Sequence, residues 1–187
     1  MFGHSFRYHD ETDSTNLEAK VLAQKGAPEG TVVVAEAQTA GRGRLGRRWT
    51  SPAGKGILFS VILRPSLPMT RAHLLTILAA VSAAEAIEKH VPARVLVKWP
   101  NDLFIDGRKT GGILMEVSGE QDEVDWVILG MGINVNTEFS ELPVALRRTA
   151  TSLKIAGGEP VDRSDILATL LLALEAHYKA ALRGGFE

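Results

Sequence analysis

Cysteine does not occur among the 187 residues of the chain. Its absence excludes disulfides, thiolate nucleophiles and cysteine-ligated zinc, and it is compatible with a reducing compartment. An excess of charge of one sign is also missing, because 21 Lys and Arg oppose 22 Asp and Glu and leave a net charge of −1. The molecule as a whole therefore lacks the positive field that would attract nucleic acid.

Long apolar segments are missing as well. No apolar run reaches the roughly 18 residues that a membrane-spanning helix needs, and the N-terminal MFGHSFRYHDETD has no signal-peptide core. The composition, 45% hydrophobic and 23% charged, is typical of globular proteins. Because domains usually hold about 150 residues, we expect one soluble domain, cytoplasmic and without a membrane partner.

Hydrophobic periodicity predicts three main helices and several strands. The helices are predicted at 13–26, at 70–90 and, capped by Asp162, at 162–182; the strands at 31–37, 56–65, 95–99, 112–118 and 124–135. The strand at 95–99 is expected to be buried. Thr15 and Glu18 have capping-box spacing, and Asp106-Gly107 indicates a tight hairpin turn. Strands and helices do not alternate strictly, so we predict an α+β (mixed α/β) fold with a mixed, largely antiparallel sheet and helices packed on it.

Residues 41–49, GRGRLGRRW, place four arginines in an otherwise neutral chain. The glycine spacing matches the dinucleotide-binding fingerprint, but that fingerprint needs a helix directly afterwards, and TSPAGKG follows instead. Glycines let the backbone approach a ligand closely, and guanidinium groups offer paired donors to carboxylates or phosphates. We interpret the segment as an anion-binding lid. The alternatives are a solvated basic hairpin tip and, with a small basic footprint, a nucleic-acid contact.

A second polar segment is KWPND at 98–102. Asn101 can both donate and accept hydrogen bonds, as purine recognition requires, and Asp102 can hold Mg²⁺ or orient a cation. Lys109 follows the predicted hairpin turn, where its ammonium group could offset charge on a reacting carboxylate or phosphate. A turn capped by Asp102 beside a surface lysine is the alternative. The later GMGINVN, which contains Asn134, is expected to form another wall of the same pocket.

Five segments in this order resemble the biotin protein ligases, and specifically the catalytic domain of biotin–[acetyl-CoA-carboxylase] ligase. They are DSTN (13–16), EAQTAGRGRLGRRWTSPAGKGILFSV (36–61), KWPNDLFIDGRKTGGILME (98–116), GMGINVN (130–136) and ATSL (150–153). The resemblance implies a class II synthetase/biotin ligase-like catalytic domain. Such a domain makes biotinyl-5′-AMP from biotin and ATP, then passes biotin to one lysine of a biotin carboxyl carrier protein.

The resemblance also implies a role for each matching residue. Biotin contacts would come from Ser14, Thr15, Asn16, Gln38, Gly41, Arg42, Arg44, Trp49, Lys109, Gly112 and Leu114. ATP contacts would come from Arg44, Arg47, Trp49, Asn101, Asp102 and Asn134. Lys109, Arg44 and Asp102 would be catalytic, and Asp102 is the candidate ligand for Mg²⁺, which is expected beside the substrates ATP and biotin.

The domain organisation that the resemblance implies is a single unit. Some members carry an N-terminal winged helix that binds DNA, and many carry a C-terminal SH3-like barrel. The match begins at Asp13 and the sequence ends in ALRGGFE, so we expect 1–187 to be a catalytic domain, without a DNA-binding domain and with the SH3-like module absent or truncated. DNA is therefore not an expected partner, whereas homodimers occur in the family. Two alternatives stay open: a lipoate or octanoate ligase, and a non-catalytic biotin-binding module.

Overall fold

The computed structural model describes residues 1–120 and 122–184. Its centre is one seven-stranded sheet with the order β1-β2-β3-β7-β6-β5-β4. The strands are β1 (Phe6–Thr12), β2 (Val32–Gln38), β3 (Gly56–Leu63), β4 (Leu96–Lys98), β5 (Asp102–Ile105), β6 (Arg108–Glu120) and β7 (Glu123–Asn134). Within this described part the β1–β2 pair alone is parallel, which confirms the predicted mixed, largely antiparallel sheet.

Helices cover both faces of the sheet. They are α1 (Thr15–Gln24), α2 (Leu74–Glu88), α3 (Leu153–Gly157) and α4 (Arg163–Gly184). The larger apolar core joins α2 and α4 to one face, and a smaller core packs Ala19 and Ala23 of α1 against Val33 and Ile62 on the other face. The predicted α+β class is therefore confirmed, and α1 lies on the side of the sheet where the site residues also gather.

Helix α4 follows the predicted pattern closely. The Asp162 carboxylate accepts hydrogen bonds from the backbone N–H groups of Ser164 and Asp165, which caps the N-terminus of the helix. A stripe of apolar residues at helical spacing then faces the core and is fully buried. Its members are Ile166, Leu170 and Leu174.

Strand β1 was not predicted from the sequence. It pairs with β2 in parallel, from Phe6 beside Val32 to Thr12 beside Gln38. Most of its residues are exposed because it is the outer strand of the sheet, so it lacks the apolar alternation that marks a half-buried strand. Its pairing has a consequence for the site, since the DSTN turn that follows β1 is held next to the end of β2.

Strand β4 corrects the predicted buried strand at 95–99. The observed strand is shorter, Leu96–Lys98, all three of its residues are exposed, and Trp99 is 77% exposed. An apolar run indicates a strand but does not show whether that strand ends at the edge of the sheet, as β4 does. The hairpin turn that follows is confirmed, with positive φ angles of 48° at Asp106 and 71° at Gly107.

The capping box predicted at the start of α1 is wrong. Ser14, not Thr15, is the residue that precedes the helix, and its side chain makes no capping hydrogen bond. The Thr15 hydroxyl and backbone N–H instead contact the Gln38 side chain, 3.2 and 2.8 Å away. The contact with Gln38 on β2 therefore uses the Thr15 groups that a capping box would have used within the helix.

One helical stretch differs from the expectation that no segment is long and apolar enough to span a membrane. Met69–Glu88 is long and apolar enough to cross a membrane by length and composition alone. Its alanines and leucines pack against the sheet and α4, and the fully buried ones include Leu75, Ala79 and Ala83. The apolar composition is thus accounted for by the core of the fold.

Candidate active site

The predicted site residues come from separate parts of the chain and meet in one cavity of about 670 Å³. The cavity lies between the N-terminus of α1, the loop that joins β2 to β3, the β5–β6 hairpin and β7. All predicted site residues except Gly41 line it: Ser14, Thr15, Asn16, Gln38, Arg42, Arg44, Arg47, Trp49, Asn101, Asp102, Lys109, Gly112, Leu114 and Asn134. The sequence therefore identified the wall of one cavity, although the role of each residue there stays a prediction.

Gly41 lies behind the cavity wall. It is buried, its carbonyl accepts a hydrogen bond from the Trp49 N–H at 2.9 Å, and a Cβ atom at this position would stand 2.5 Å from the Trp49 carbonyl oxygen. A side chain at position 41 would thus force apart the two ends of the arginine loop. The glycine therefore allows the two ends of the loop to meet, and its predicted contact with biotin stays a prediction.

The floor of the cavity is neutral and hydrogen-bonded. The Gln38 carbonyl oxygen accepts from the Thr15 backbone and hydroxyl, and the Ser60 hydroxyl stands 2.8 Å from the Thr15 hydroxyl and 2.7 Å from the Asn16 carbonyl oxygen. Ser14, Thr15, Asn16 and Ser60 are all buried. Buried polar groups that are fixed in this way present a small set of oriented donors and acceptors to a ligand.

Ser60 is a site residue that the sequence analysis missed. It is the one polar residue in the buried strand β3, Gly56–Leu63. A lone hydroxyl inside an otherwise apolar strand needs a buried hydrogen-bond partner, and that signal could have led to it. Its partners, Thr15 and Asn16, lie on α1, so only the tertiary fold identifies them.

The arginine loop, residues 41–49, is anchored at its base and arches over the cavity. The Gly43 N–H donates to the Arg47 carbonyl at 2.7 Å, and Arg42 and Arg48 form a backbone bridge. Leu45 at the tip has a left-handed φ of 57° and is 88% exposed. The loop thus has a hydrogen-bonded base and an exposed tip, and its role as a lid stays a prediction.

Three arginine side chains of the loop reach back to other parts of the site. Arg42 donates to the Glu116 carboxylate at 2.9 Å, Arg44 donates to the Asn101 carbonyl oxygen at 3.1 Å, and Arg48 donates to the Thr39 carbonyl. The arginines themselves are exposed, so the solvated hairpin tip stays an alternative, and these contacts favour the lid. They direct Arg42 and Arg44 towards opposite sides of the same cavity.

Lys109 and Asp102 form an ion pair on the β5–β6 hairpin. The Lys109 Nζ atom lies 2.6 Å from the Asp102 carboxylate and 5.7 Å from the centre of the Trp49 ring. A Cβ atom at Gly112 would stand 3.2 Å from Nζ, so a glycine there leaves room for the ammonium group. Of the two roles predicted for Asp102, the structure favours that of orienting the lysine.

Trp49 packs over a second glycine. A Cβ atom at Gly132 would stand 2.5 Å from the indole ring, so β7 accepts the ring only because this position has no side chain. The indole Nε1 atom is buried, and within residues 1–120 and 122–184 it has no hydrogen-bond partner. An N–H donor in this state is costly to bury and is available to a ligand in the cavity.

The two asparagines have structural contacts of their own. The Asn134 amide donates to the Thr151 carbonyl at 3.1 Å and Asn101 donates to the Ile113 carbonyl at 3.0 Å. Both still line the cavity. The Asn101 side-chain oxygen also accepts the hydrogen bond from Arg44, so a nucleotide contact at Asn101 would share that oxygen or use the second amide hydrogen.

The segment 142–150 also lines the cavity, although the sequence analysis did not include it. Its lining members are Leu142, Pro143, Leu146, Arg148, Thr149 and Ala150. The Lys109 N–H donates to the Thr149 carbonyl at 2.8 Å, which ties the segment to the β5–β6 hairpin. Nothing in its composition distinguishes it from an ordinary loop, because its place is set by this long-range pairing.

The residues around Asp102 fit a metal ion only in a limited way. Across residues 1–120 and 122–184, His, Cys, Asp and Glu side chains do not cluster in groups of three that could hold a metal. Mg²⁺ at phosphate-binding sites needs only one or two protein carboxylates, since phosphate oxygens and water supply the rest. Asp102 could be that single carboxylate, beside its contact with Lys109.

Solved structures share this fold. The biotin protein ligase from Aquifex aeolicus in complex with biotin and ATP aligns with a TM-score of 0.82 and 32% identity, over 98% of this chain and 74% of that chain. The fold is thus that of a biotin ligase catalytic domain. The model of the biotin/lipoate A/B protein ligase family matches residues 8–134, and the chain belongs to this family.

Curated relatives are similar to this chain over more residues than the family model matches. The bifunctional ligase/repressor BirA of Bacillus subtilis is 45% identical over 186 residues, which cover 100% of this chain and 57% of that protein. The biotin–[acetyl-CoA-carboxylase] ligase of Mycobacterium tuberculosis is 37% identical over 171 residues, 89% of this chain and 61% of that protein. The chain spans less than two thirds of these relatives. The expected absence of a DNA-binding domain stays a prediction.

Proposed function

We propose that the chain is the catalytic domain of an ATP-dependent biotin–protein ligase. In the first half-reaction, the biotin carboxylate attacks the α-phosphate of ATP, which gives biotinyl-5′-AMP and releases pyrophosphate. In the second, the amine of one lysine in a biotin carboxyl carrier protein attacks the biotinyl carbonyl, and AMP leaves. The observation that carries the proposal is the charge of the cavity.

Basic side chains dominate that cavity although the whole chain has a net charge of −1. Among residues 1–120 and 122–184, the one acidic lining residue is Asp102, and the basic lining residues are Arg42, Arg44, Arg47, Arg48, Lys98, Lys109 and Arg148. Biotin carboxylate and ATP are both anions that repel each other. A preorganised cationic site offsets this repulsion and stabilises the charge that develops in phosphoryl chemistry.

The contacts of Arg44 and Lys109 bring two of these cations to one corner. Arg44 contacts Asn101 and Lys109 contacts Asp102, and these partners are neighbours in the chain. The cations come from different segments, the loop and the hairpin. We propose that Lys109 and Arg44 hold the carboxylate against the α-phosphate, with Arg42 on the biotin side and Arg47 near the outer phosphates. Positioning and charge then supply most of the rate enhancement.

The neutral floor supports the choice of biotin over other acids. The ureido ring of biotin is uncharged, offers two N–H donors and one carbonyl acceptor, and needs fixed polar partners rather than ions. The Ser14, Thr15 and Gln38 side chains provide such partners. The flexible acyl chain of lipoate or octanoate has no group that would use them, so these substrates are the less favoured alternative.

Water exclusion is the proposed task of the arginine loop. Biotinyl-5′-AMP is a mixed anhydride that water hydrolyses, so a lid that covers it would preserve it until the carrier lysine arrives. Mg²⁺ would accompany the nucleotide and offset phosphate charge, with Asp102 as its protein ligand. A cytoplasmic location and a homodimeric state remain further proposals.

Pyrophosphate exchange into ATP tests the first half-reaction directly. The chain is incubated with labelled pyrophosphate, ATP and Mg²⁺ in the presence of biotin, lipoate or octanoate in turn. We expect label in ATP with biotin and much less with the other acids. Exchange that is faster with lipoate or octanoate would assign the chain to the alternative ligases. ATP-independent biotin binding without exchange would make it a non-catalytic binding module.

A further inference from the structure

Glu116 joins the arginine loop to the floor of the cavity. It lies on β6, and its two carboxylate oxygens have different partners. One accepts a hydrogen bond from Arg42 in the loop at 2.9 Å, and the other accepts one from the Asn16 amide at 2.9 Å. Glu116 is half-buried, and it was not among the residues that the sequence analysis identified.

The contact extends into a continuous hydrogen-bonded chain. The Ser60 hydroxyl donates to the Asn16 carbonyl oxygen and can accept from the Thr15 hydroxyl, and the Thr15 backbone N–H donates to Gln38. Thus an exposed arginine of the lid and a half-buried glutamine of the floor belong to one network. The members of such a network hold each other in place, so removing one affects the positions of the others.

The geometry makes Glu116 more than a surface ion pair. An exposed pair between a carboxylate and an arginine usually contributes little, because both side chains are free to move. Here the Asn16 side chain is buried, and a Cβ atom at Gly130 would overlap it, so Asn16 is confined on the side of β7. Because Asn16 fixes one oxygen of Glu116, the other oxygen stays directed at Arg42.

We infer that Glu116 is a positioning residue that holds Arg42 in place and keeps the arginine loop in register with the floor of the biotin site. The inference rests on the proposed function, in which Arg42 faces the biotin carboxylate. It concerns how the chain itself holds the loop, because Arg42 contacts Glu116 at 2.9 Å. Preorganisation of this kind lowers the entropy that biotin binding must overcome.

Two variants separate the charge of Glu116 from its size. Glu116→Gln keeps the shape and one acceptor but removes the ion pair with Arg42. Glu116→Ala removes both contacts. Glu120→Gln is the matched control, because it makes the same change at an exposed position on the same strand. Each protein is examined without ligand by limited trypsin digestion, which cleaves after Arg42, Arg44, Arg47 and Arg48, and then by pyrophosphate exchange.

We expect faster cleavage within residues 41–49 in both Glu116 variants and unchanged cleavage in Glu120→Gln. We also expect the KM for biotin to rise about tenfold in Glu116→Gln, with kcat and the KM for ATP changed little, because a charge-assisted hydrogen bond contributes about that factor. A merely structural defect would instead lower kcat and the melting temperature at an unchanged KM.

The inference is overturned if both Glu116 variants are cleaved at the wild-type rate, or if cleavage is faster while the KM for biotin stays within twofold of the wild type. Failure of the proposed function would look different. In that case the wild-type chain itself would show no exchange with biotin, and the digestion of the ligand-free proteins would still decide whether Glu116 holds the loop.

Discussion

At the scale of single residues, Lys109 is the group on which the proposed chemistry depends most. It is fixed by Asp102 at 2.6 Å, and it lies between the Trp49 ring and the space that Gly112 leaves open. An ammonium group held in one place has no reorganisation to undergo as charge develops on a reacting phosphate.

Replacement of this lysine should therefore affect the rate far more than the fold. We expect Lys109→Ala to lower the rate of biotinyl-5′-AMP formation by about 100-fold or more, the usual effect of removing one preorganised electrostatic contact. The side chain is one third exposed, so the melting temperature should change little. Lys89→Ala, at an exposed position after α2, is the control. Equal rates for Lys109→Ala and the wild type would remove this residue from the mechanism.

Gly132 allows a second test at the same scale. A methyl group in Gly132→Ala would meet the Trp49 ring at 2.5 Å and displace it from β7. We expect the KM for biotin to rise about tenfold and the stability to fall by about 1–3 kcal/mol, as overpacking usually does. Pyrophosphate exchange measures the KM for biotin, and unfolding followed by tryptophan fluorescence measures the stability. Gly184→Ala, where a new Cβ atom meets nothing within 4 Å, should behave as the wild type. An unchanged KM and stability for Gly132→Ala would contradict the packing described.

The charged residues of the arginine loop and the KWPND hairpin could be identified from the sequence, whereas their partners, although they stand in the same quoted segments, could not. Arg44, Asp102 and Lys109 stand in short segments whose composition already indicates anion chemistry. Glu116 and Ser60 belong to strands whose pattern indicates only packing. Their importance comes from contacts with Arg42 and Asn16, and the sequence separations of 74 and 44 residues put these beyond any local pattern.

At the scale of elements, long apolar segments were predicted well and edge strands poorly. The helix α4 and the strands β3 and β7 carry strong patterns because they bury one side or both. The strands β1 and β4 lie at the two edges of the sheet, where burial imposes little pattern. Whether a strand lies at an edge is decided only when the sheet assembles. The apolar sequence of β4 therefore predicted a buried strand, whereas the strand is exposed.

Helix α4 also supports a prediction about pH. The pKa of Glu175 lies below its ordinary value of 4.5, chiefly because it accepts a hydrogen bond from Lys179 and also because it accepts one from the Phe2 N–H, while burial opposes the shift. A carboxyl group whose pKa is lower in the folded protein stabilises the fold above its unfolded pKa. This contribution is lost as the pH falls through the folded pKa.

We therefore expect the wild type to lose more stability than Glu175→Gln when the pH is lowered below 4.5, because the variant has no charge to lose. Urea unfolding of both proteins at a series of pH values measures the difference. Glu159→Gln, at an exposed position before α4, should follow the wild type. Parallel curves for the wild type and Glu175→Gln would mean that Glu175 does not hold the N-terminal segment against α4.

At the scale of the whole molecule, the sheet brings distant segments together. The strand β7 inserts between β3 and β6, although it follows both in the chain. This order sets GMGINVN beside the start of β3 on one side and beside the β5–β6 hairpin on the other. The sequence predicted the class of the fold and the composition of the site. The strand order, and with it the distance between the segments, follows only from how the strands pair.

We propose above all that cations from the arginine loop and from the β5–β6 hairpin hold the biotin carboxylate and ATP together in one cavity, although these two anions repel each other. A crystal structure of this chain with biotin and a non-hydrolysable ATP analogue tests it most directly. We predict that the Lys109 ammonium group and the Arg42 and Arg44 guanidinium groups lie within hydrogen-bonding distance of the biotin carboxylate or the α-phosphate. Ligands bound elsewhere, with these three side chains directed into bulk water, would contradict the account.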